Sequence, residues 1–402
     1  MHQILSEQIR GENMQIVRMA ESDTIKGRGR KGQPKSDSCA AKMAGAACGL
    51  AVDIGTTTVV MGLYDLDSGE RLAGLQEKNS QTLLGADVMM RLMHCQMGSQ
   101  HTLEQRIREQ IQNMAEQLCD GFCALEQIKT IAVVGNTTMC HIFLGQDTSG
   151  LAGSPFRPAY RGIYRCKGSD IALQEMKDTD VIVPAGIDAH VGADAVSMIC
   201  ALQLPETKET ILAVDIGTNA EIALSCKREI SVCSAPAGPA FEGAQISQGM
   251  RGEPGAIAGM HIARQSGNIL LEVIPDDRRN VYPVRGICGS GLIDSIASLR
   301  QSGILQPDGY LLCDPEEADR LGIPGYLRER ITEKGFLVYL DPGGQQVCLT
   351  QKDIRQFQLA KAAVQAGIRM LLEQKGLALQ QVDRIYIAGV FGGHISKKSA
   401  VL

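Results

Sequence analysis

The sequence predicts an α/β protein built from two similar halves. Residues 50–69 read LAVDIGTTTVVMGLYDLDSG, an apolar run that meets Asp, Gly and three threonines before a second apolar run begins. The same wording returns at residues 213–224 as AVDIGTNAEIAL. Both stretches have the pattern strand, tight turn, strand, turn, strand, and helical segments follow each of them. A repeat of this kind indicates a duplicated unit more strongly than any single motif does.

Changes in composition divide the chain into three segments. Residues 21–47 are rich in Gly, Lys, Arg and Ser and have no periodic apolar face, which is typical of a linker. Residues 1–20 could form a short helix. We therefore expect an N-terminal tail and flexible linker over residues 1–47, a first domain over 48–204 and a second domain over 205–402. The polar stretch LPETKET separates the two domains.

Apolar periodicity predicts further elements in each half. In the first half, IKTIAVVG is a buried strand and GNTTM opens a helix, while TLEQRIREQIQNMAEQLC is a long helix. In the second half, a long amphipathic helix has its N-cap at Thr350 or Asp353, and VDRIYIAG is a last strand that ends on glycines. The Met-rich run at residues 89–97 has helical spacing, which favours core packing over a partner groove.

Composition excludes several classes of function. The chain has 402 residues, of which 44% are hydrophobic and 21% charged, as in an ordinary globular protein. A net charge of −5, no Trp and only 4% aromatic residues argue against a nucleic-acid partner. No apolar run reaches membrane-spanning length, and the N-terminus lacks the apolar core of a signal peptide. We expect a cytoplasmic protein with no membrane partner.

The thirteen cysteines do not form a metal-binding pattern. They are spread along the chain without a Cys-x-x-Cys spacing, and the closest pair is Cys119 and Cys123. Iron–sulfur and zinc sites require tighter clusters, so reduced, buried thiols are expected. The stretch DAHVGAD at residues 188–194 brings a histidine among carboxylates, but a polar turn that opens a helix explains it as well.

The repeated turns have the chemistry of an anion site. A glycine at the tight point lets backbone N–H groups approach an anion closely, and threonine hydroxyls add donors. Asp53 and Asp215, each at the end of a strand, could hold Mg²⁺ through its waters. Two such turns facing each other across a cleft would clamp a polyphosphate. The candidate binding residues of the two turns are Gly55, Thr56, Thr57, Thr58, Gly217, Thr218 and Asn219.

Two further turns share this character, although no Walker A motif is present. GNTTM at residues 135–139 supplies Gly135, Asn136 and Thr137. GICGSGLID at residues 286–294 is a glycine-rich turn that opens a helix, and its backbone N–H groups could accept a nucleoside or a phosphate.

The ordered series DIGTTT, GNTT, DIGTN, GICGSG and AGVFGG resembles the five-motif nucleotide site of the superfamily of sugar kinases, actin and heat-shock chaperones (ASKHA). The resemblance implies two ribonuclease H-like domains with an ATP cleft between them. The stretches GNTTMCHIFLG, VGADAVSMI, DIGTNAEI, AGPAFEGAQISQGM and GICGSGLID resemble more narrowly the reductive activators of corrinoid proteins. This match covers roughly residues 48–396.

In that family, binding and hydrolysis of ATP are coupled to reduction of a Co(II) corrinoid to Co(I). The implied partner is a corrinoid protein or a corrinoid-dependent methyltransferase, and the resemblance leaves room for a homodimer. By motif, the resemblance assigns the binding of phosphate and Mg²⁺ to the residues of the two Asp-Ile-Gly-Thr turns. The remaining residues that the resemblance assigns to the nucleotide are Gly289, Ser290, Gly291, Gly389 and Gly392.

Two departures from the family shape the expectation. The family usually begins with a ferredoxin-like domain that holds a [2Fe–2S] centre, whereas residues 1–47 here contain only Cys39. We therefore expect no iron–sulfur cluster in this chain and a separate ferredoxin-like electron donor. The family also usually continues past AGVFGG with a helix and a strand, so the second domain is expected to be C-terminally truncated relative to it.

Glu242, in GPAFEGA, and Asp194 are candidates for positioning the attacking water. Glu242 could equally cap a turn.

The main alternative function is a small-molecule (sugar or acid) kinase on the same fold, although residues 140–195 offer no clear substrate constellation. An activator of a radical dehydratase would need cysteines at a dimer interface for a [4Fe–4S] cluster, and a non-catalytic binding or filament protein is a third alternative.

Overall fold

The computed structural model describes residues 14–16, 47–263, 268–275, 283–389, 396 and 398–399. The chain forms two compact units, residues 21–203 (the first unit) and residues 1–20 with 204–402 (the second unit). Strand β1 (Met14–Ile16) lies where the sequence alone suggests a short helix. The linker expected before residue 47 lies outside the described residues. None of the described helices has both the length and the apolar character needed to cross a membrane.

The first unit is organised around a six-stranded sheet. Its strands are β2 (Cys48–Ile54), β3 (Thr58–Asp65), β4 (Arg71–Lys78), β5 (Ile128–Gly135), β6 (Tyr164–Lys167) and β7 (Asp180–Val183). Their order in the sheet is β4-β3-β2-β5-β7-β6. Strands β2, β3 and β4 form an antiparallel meander, β2, β5 and β7 run parallel, and β6 is antiparallel to β7. A meander followed by parallel strands is the predicted ribonuclease H-like arrangement.

Between residues 47 and 203, the described part of the first unit has four α-helices. They are α1 (Val88–His94), α2 (Gln100–Cys119), α3 (Thr137–Leu144) and α4 (Ala193–Ala201), and a π-helical turn, Cys95–Ser99, joins α1 to α2. Helix α2 buries Leu103, Ile107, Ile111 and Met114, whose spacing of three and four residues forms one apolar stripe. These side chains join those of β2, β3 and β5 in one core.

The Met-rich run is not core packing. Met89, Met90, Met93 and Met97 are between 41% and 72% exposed, and within α1 only Arg91 and Leu92 are buried. The prediction of buried methionines is therefore wrong for this helix. Its sequence reads VMMRLMH, and the charged residue rather than the methionines faces inward.

The second unit repeats the arrangement of the first. The strands that follow β7 are β8 (Ile211–Ile216), β9 (Ala220–Cys226), β10 (Glu229–Ala235), β11 (Ala256–Ile262), β12 (Ile269–Val273), β13 (Gly286–Ile287), β14 (Ile331–Thr332), β15 (Gly335–Leu340), β16 (Gln346–Leu349) and β17 (Arg384–Ala388). The main sheet has the order β1-β17-β8-β9-β10, with β8, β9 and β10 in an antiparallel meander and β8, β17 and β1 parallel. Two smaller sheets, β12-β11-β13 and β14-β15-β16, are inserted between β10 and β17.

The helices described with bounds in the second unit, over residues 204–388, are α5 (Gly289–Gln301), α6 (Pro315–Arg320), α7 (Gly325–Arg328) and α8 (Gln351–Gln374). Thr350 caps α8: its hydroxyl accepts the N–H of Asp353, whose carboxylate in turn accepts the N–H of Thr350. This capping box confirms the first of the two predicted N-cap positions. One apolar core includes residues from β8, β9, β11, α5 and α8.

No disulfide joins the cysteines in the described part of the chain. Cys119 and Cys123, the closest pair in sequence, have their sulfurs 3.6 Å apart. Burial of these thiols is uneven: Cys48, Cys95, Cys119, Cys140 and Cys288 are buried, Cys200 is exposed and the others are intermediate.

Candidate functional site

In the first unit the site begins at the carboxyl end of β2, the central strand. Asp53 is half-buried and pairs with Val60 of β3 on one side and with Val134 of β5 on the other. Two parallel strands therefore end side by side here. The turn 55–57 that follows β2 and the turn that follows β5 emerge at the same edge of the sheet.

Buried groups hold the first turn by its carbonyl oxygens. Asn79 donates from Nδ2 to the Gly55 carbonyl (2.8 Å) and from its backbone N–H to the Thr57 carbonyl (2.9 Å). The Arg91 guanidinium donates to the Thr56 carbonyl. In a trans peptide the next N–H points opposite to the carbonyl, so the N–H groups of residues 56, 57 and 58 face away from these donors. Such a row of amides is suited to an anion.

The turn that follows β5 (residues 135–137) contacts the first turn directly. Gly135 has φ +154°, and a Cβ atom there would lie 2.7 Å from the Ile54 carbonyl oxygen, so only glycine allows this approach. Asn136 is the N-cap of α3: its Oδ1 accepts the Met139 N–H (3.0 Å), while its Nδ2 donates to Thr56 Oγ1 (3.2 Å). One side chain thus joins the two turns.

Thr137 contacts the loop that precedes α4. Its buried hydroxyl donates to the Asp188 carbonyl (2.6 Å), which fixes the loop before α4. In the same loop, a Cβ atom on Gly192 would lie 2.6 Å from both the Gly135 carbonyl oxygen and the Thr137 nitrogen. The loop therefore lies against the turn, and it delivers Asp194 to this edge.

Asp194 and Asp53 lie in the same region. Burial raises the pKa of Asp194 to about 6, although backbone N–H groups, among them that of Ala195 at 2.8 Å, act in the opposite direction. The pKa of the buried Cys140 thiol is well above its ordinary value, first because of burial and then because of the nearby carboxylates of Asp194 and Asp53. Both carboxylates therefore lie near the Cys140 sulfur.

In the second unit Asp215 occupies the equivalent position at the end of β8. It pairs with Ala388 of β17 and with Glu221 of β9. Gly389 follows β17 with φ +86°, and a Cβ atom there would overlap Asp215 Oδ1, at 2.3 Å. This glycine therefore leaves the space that the Asp215 carboxylate occupies.

The turn after Asp215 is bonded differently from the first turn. The Gly217 N–H donates to the Asn219 carbonyl (2.9 Å), so this amide is used within the turn, and the Thr218 carbonyl accepts the Gly238 N–H (2.8 Å). The backbone of Glu242 ends a short 3-10 helix, Pro239–Glu242, which begins one residue after Gly238. The hydrogen bond from Gly238 thus connects the backbone of this 3-10 helix to the turn after Asp215. Gly392 lies outside the described residues.

The predicted nucleoside residues open α5 and are all buried. A Cβ atom on Gly291 would lie 2.0 Å from the Ile257 carbonyl oxygen of β11, and Ser290 Oγ lies 3.3 Å from Cys288 Sγ. Gly291 is thus required for the close packing of α5 on β11, in addition to any role at the site.

Three residues of the site were not identified from sequence. Glu221 is buried, accepts a hydrogen bond from Ser234 Oγ (3.1 Å) and is paired with Asp215 across the hairpin, so both side chains share one face of the sheet. The hairpin register could have found it. A lone Arg in the apolar run of α1 was the available signal for Arg91. Asn79 has no signal in its local sequence, because its role depends on tertiary contacts.

A duplicated ribonuclease H-like sheet with an Asp-Ile-Gly-Thr turn after each central strand defines a protein of the actin and sugar-kinase (ASKHA) type. Comparison with known families agrees. The RACo middle region matches residues 48–207, and the C-terminal domain of RACo, the ASKHA domain, matches residues 209–402. The chain belongs to the RACo family.

Individual relatives are consistent with this assignment. The chain is 34% identical over 364 residues to the corrinoid activation enzyme RamQ of Eubacterium limosum, covering 88% of this chain and 59% of RamQ. It is 26% identical to the [Co(II) methylated amine-specific corrinoid protein] reductase of Methanosarcina barkeri, over 88% of this chain and 64% of the relative. The solved structure of a reductive activator for corrinoid, iron-sulfur protein is similar with a TM-score of 0.77 and 33% identity, over 89% of this chain and 56% of that one. The chain thus spans less than two thirds of each of these relatives.

Proposed function

We propose that this chain binds and hydrolyses ATP and uses it to drive reduction of a Co(II) corrinoid protein to Co(I), in support of corrinoid-dependent methyl transfer. The observation that carries the proposal is the repeated turn: Asp53 and Asp215 each end the central strand of a ribonuclease H-like sheet in a RACo-family chain. The relatives' names favour corrinoid activation over a small-molecule kinase.

In this proposal the first turn binds phosphate oxygens through the amides of residues 56–58. Asp53 in the first unit and Asp215 in the second are the residues that would hold Mg²⁺, and the bound ion would neutralise phosphate charge. Within the described residues, no group of three or more His, Cys, Asp or Glu side chains could hold a metal ion directly. The ion would therefore take most of its ligands from water and phosphate, as Mg²⁺ commonly does. Gly289, Ser290 and Gly291 remain the proposed nucleoside side of the site.

Asp194 is our first choice for positioning the attacking water, with Glu242 as the second. Asp194 shares a region with Asp53, and its pKa of about 6 leaves it ionised at neutral pH. An ionised carboxylate whose pKa lies near the working pH can orient a water molecule and accept its proton.

The redox step transfers one electron to Co(II) from a separate ferredoxin-like donor, while ATP and water yield ADP and phosphate. Hydrolysis can drive an unfavourable reduction only if the nucleotide states of the activator bind the corrinoid protein differently. The partner is accordingly a corrinoid protein whose cobalt environment changes on binding.

The nucleotide site is tested by replacing its two acids. We expect Asp53→Ala and Asp215→Ala each to lower Mg²⁺-dependent ATP turnover by at least about tenfold, the effect of losing one charge-assisted contact. Asp67→Ala, on an exposed hairpin of the first unit, is the matched control. Undiminished phosphate release in both site variants would exclude the two-turn arrangement.

The purpose of the ATP is tested with a corrinoid protein. The Co(II)-to-Co(I) absorbance change is followed with ATP, Mg²⁺ and an external reductant, with and without this chain. Reduction that depends on both chain and ATP supports the proposal. Stimulation of ATP turnover by a sugar or an acid, with formation of a phosphorylated product, would support the kinase alternative instead.

A further inference from the structure

Arg91 is a buried cation directly behind the first turn. Its side chain is 0% exposed and lies in the middle of the helix run VMMRLMH. Nε donates to the Gly85 carbonyl (3.1 Å), Nη1 to Gln81 Oε1 (3.2 Å) and to the Met139 sulfur (2.8 Å), and Nη2 to the Thr56 carbonyl. Four of the five N–H groups of the guanidinium are thus engaged, all by uncharged acceptors.

The charge of Arg91 persists at neutral pH. Burial lowers the pKa of Arg91 to about 10, and the nearby Asp87 acts in the opposite direction. A permanent positive charge therefore lies behind the Thr56–Thr57 peptide. Donation to a carbonyl polarises the peptide, which makes the N–H on its other side a stronger donor. That N–H belongs to Thr57, one of the amides proposed for phosphate.

The same guanidinium also connects the two turns. It contacts Thr56 in the first turn and Met139 in the first helical turn after GNTT. Removing it would release the Thr56 peptide and loosen the contact between the first turn and α3.

We infer that Arg91 is a positioning residue for the anion site: it orients the first turn and strengthens its amides toward a polyphosphate that it does not touch. This inference rests on the proposed function, because it names the group that prepares the same site. It makes affinity for phosphate depend on a side chain that is closed to solvent.

The test compares three variants of the full chain, Arg91→Met, Arg91→Lys and Gln81→Met, with the wild type. Gln81→Met is the matched control, because Gln81 is equally buried and its side chain contacts Arg91 but not the turn. Binding of inorganic pyrophosphate and of Mg²⁺ with a non-hydrolysable ATP analogue is measured by calorimetry, and unfolding by denaturant. We expect Arg91→Met to raise Kd for both ligands by about tenfold or more, the effect of one hydrogen bond to a charged group, and Arg91→Lys to recover part of the loss. Gln81→Met should lose stability with little change in Kd.

The outcomes separate the inference about Arg91 from the proposed function. A folded Arg91→Met variant with wild-type Kd would overturn the inference, and so would equal losses of affinity in Arg91→Met and Gln81→Met. Should Arg91→Met fail to fold, wild-type affinity in Arg91→Lys overturns the role of the planar guanidinium. A wild-type chain that binds pyrophosphate but never hydrolyses ATP defeats the proposed function while leaving the Arg91 comparison valid, whereas a chain that binds neither ligand defeats both.

Discussion

The Asn136 side-chain amide donates to the Thr56 hydroxyl across 3.2 Å, and through this bond the turns after β2 and β5 meet. The two residues are 80 positions apart in the sequence. The same Asn136 side chain caps α3 through its oxygen, so one residue both begins a helix and fixes a neighbouring turn.

These two roles of Asn136 can be separated by substitution. Ser caps a helix about as well as Asn, so Asn136→Ser should keep the free energy of unfolding near that of the wild type while the donor to Thr56 is lost. We expect weaker binding of Mg²⁺ with ATP, measured by calorimetry. Thr350→Ala is the control, because it removes the cap of α8 and should cost about 1 kcal/mol of stability without changing affinity. Equal affinity in Asn136→Ser and wild type would show that the Thr56 contact is dispensable.

Gly389 should be sensitive to alanine for two reasons. Its φ of +86° costs a non-glycine residue about 1 kcal/mol, and the new Cβ would meet the Asp215 carboxylate. Gly344 has φ +85°, and no heavy atom lies within 4 Å of the place that a Cβ would take, so Gly344→Ala carries the backbone cost alone. We expect both variants to lose stability in denaturant titrations and only Gly389→Ala to lose ATP hydrolysis per folded molecule. Matching activities in the two variants would argue against a role for the Asp215 position.

The stability of the first unit should fall in mild acid because of His141. This side chain is buried, its Nδ1 donates to the Thr137 carbonyl (2.7 Å) and its Nε2 accepts the Ala159 N–H (3.1 Å). Burial lowers the pKa of His141 below its ordinary 6.5. Since the unfolded chain then binds this proton more tightly than the folded chain, stability is complete above about pH 6.5 and declines below it, by at most about 1.4 kcal/mol per pH unit.

Denaturant titrations between pH 5 and 8 measure this effect. His141→Gln should remove the histidine contribution to the slope below pH 6.5, and His190→Gln, at an exposed position, should retain it. Identical slopes in the wild type and His141→Gln would contradict the assignment.

Asp194 predicts a pH dependence of catalysis. Burial raises the pKa of Asp194 to about 6, and only the ionised form can accept a proton from water. ATP turnover should therefore fall as the pH decreases through about 6. Asp194→Asn should hydrolyse ATP slowly at every pH and should not show this fall in turnover below about pH 6. Glu242→Gln should still show the fall. If Glu242→Gln instead abolishes the fall in ATP turnover at low pH, Glu242 rather than Asp194 positions the attacking water.

Local patterns in the sequence predicted the strands around both Asp-Ile-Gly-Thr turns, the helix after GNTT and the N-cap of α8, because apolar periodicity, tight turns and capping act over a few residues. They did not predict that Asn79 and Arg91 bind the carbonyl oxygens of the first turn, since those bonds depend on how separate elements pack. The exposed methionines of α1 were missed for a related reason. Helical spacing finds a face, but it does not say which face points inward.

Close backbone contacts at Gly135, Gly192 and Gly291 have a consequence for mutational maps of this protein. At each position an added methyl group would overlap a main-chain atom of a neighbouring segment, at 2.7, 2.6 and 2.0 Å respectively. A saturation screen scored by growth or activity would rank these glycines with residues that contact the nucleotide, although the fault arises between two pieces of the chain's own backbone. Paired measurements of abundance and of ligand affinity for every variant would sort the two groups, and the glycines would lose abundance first.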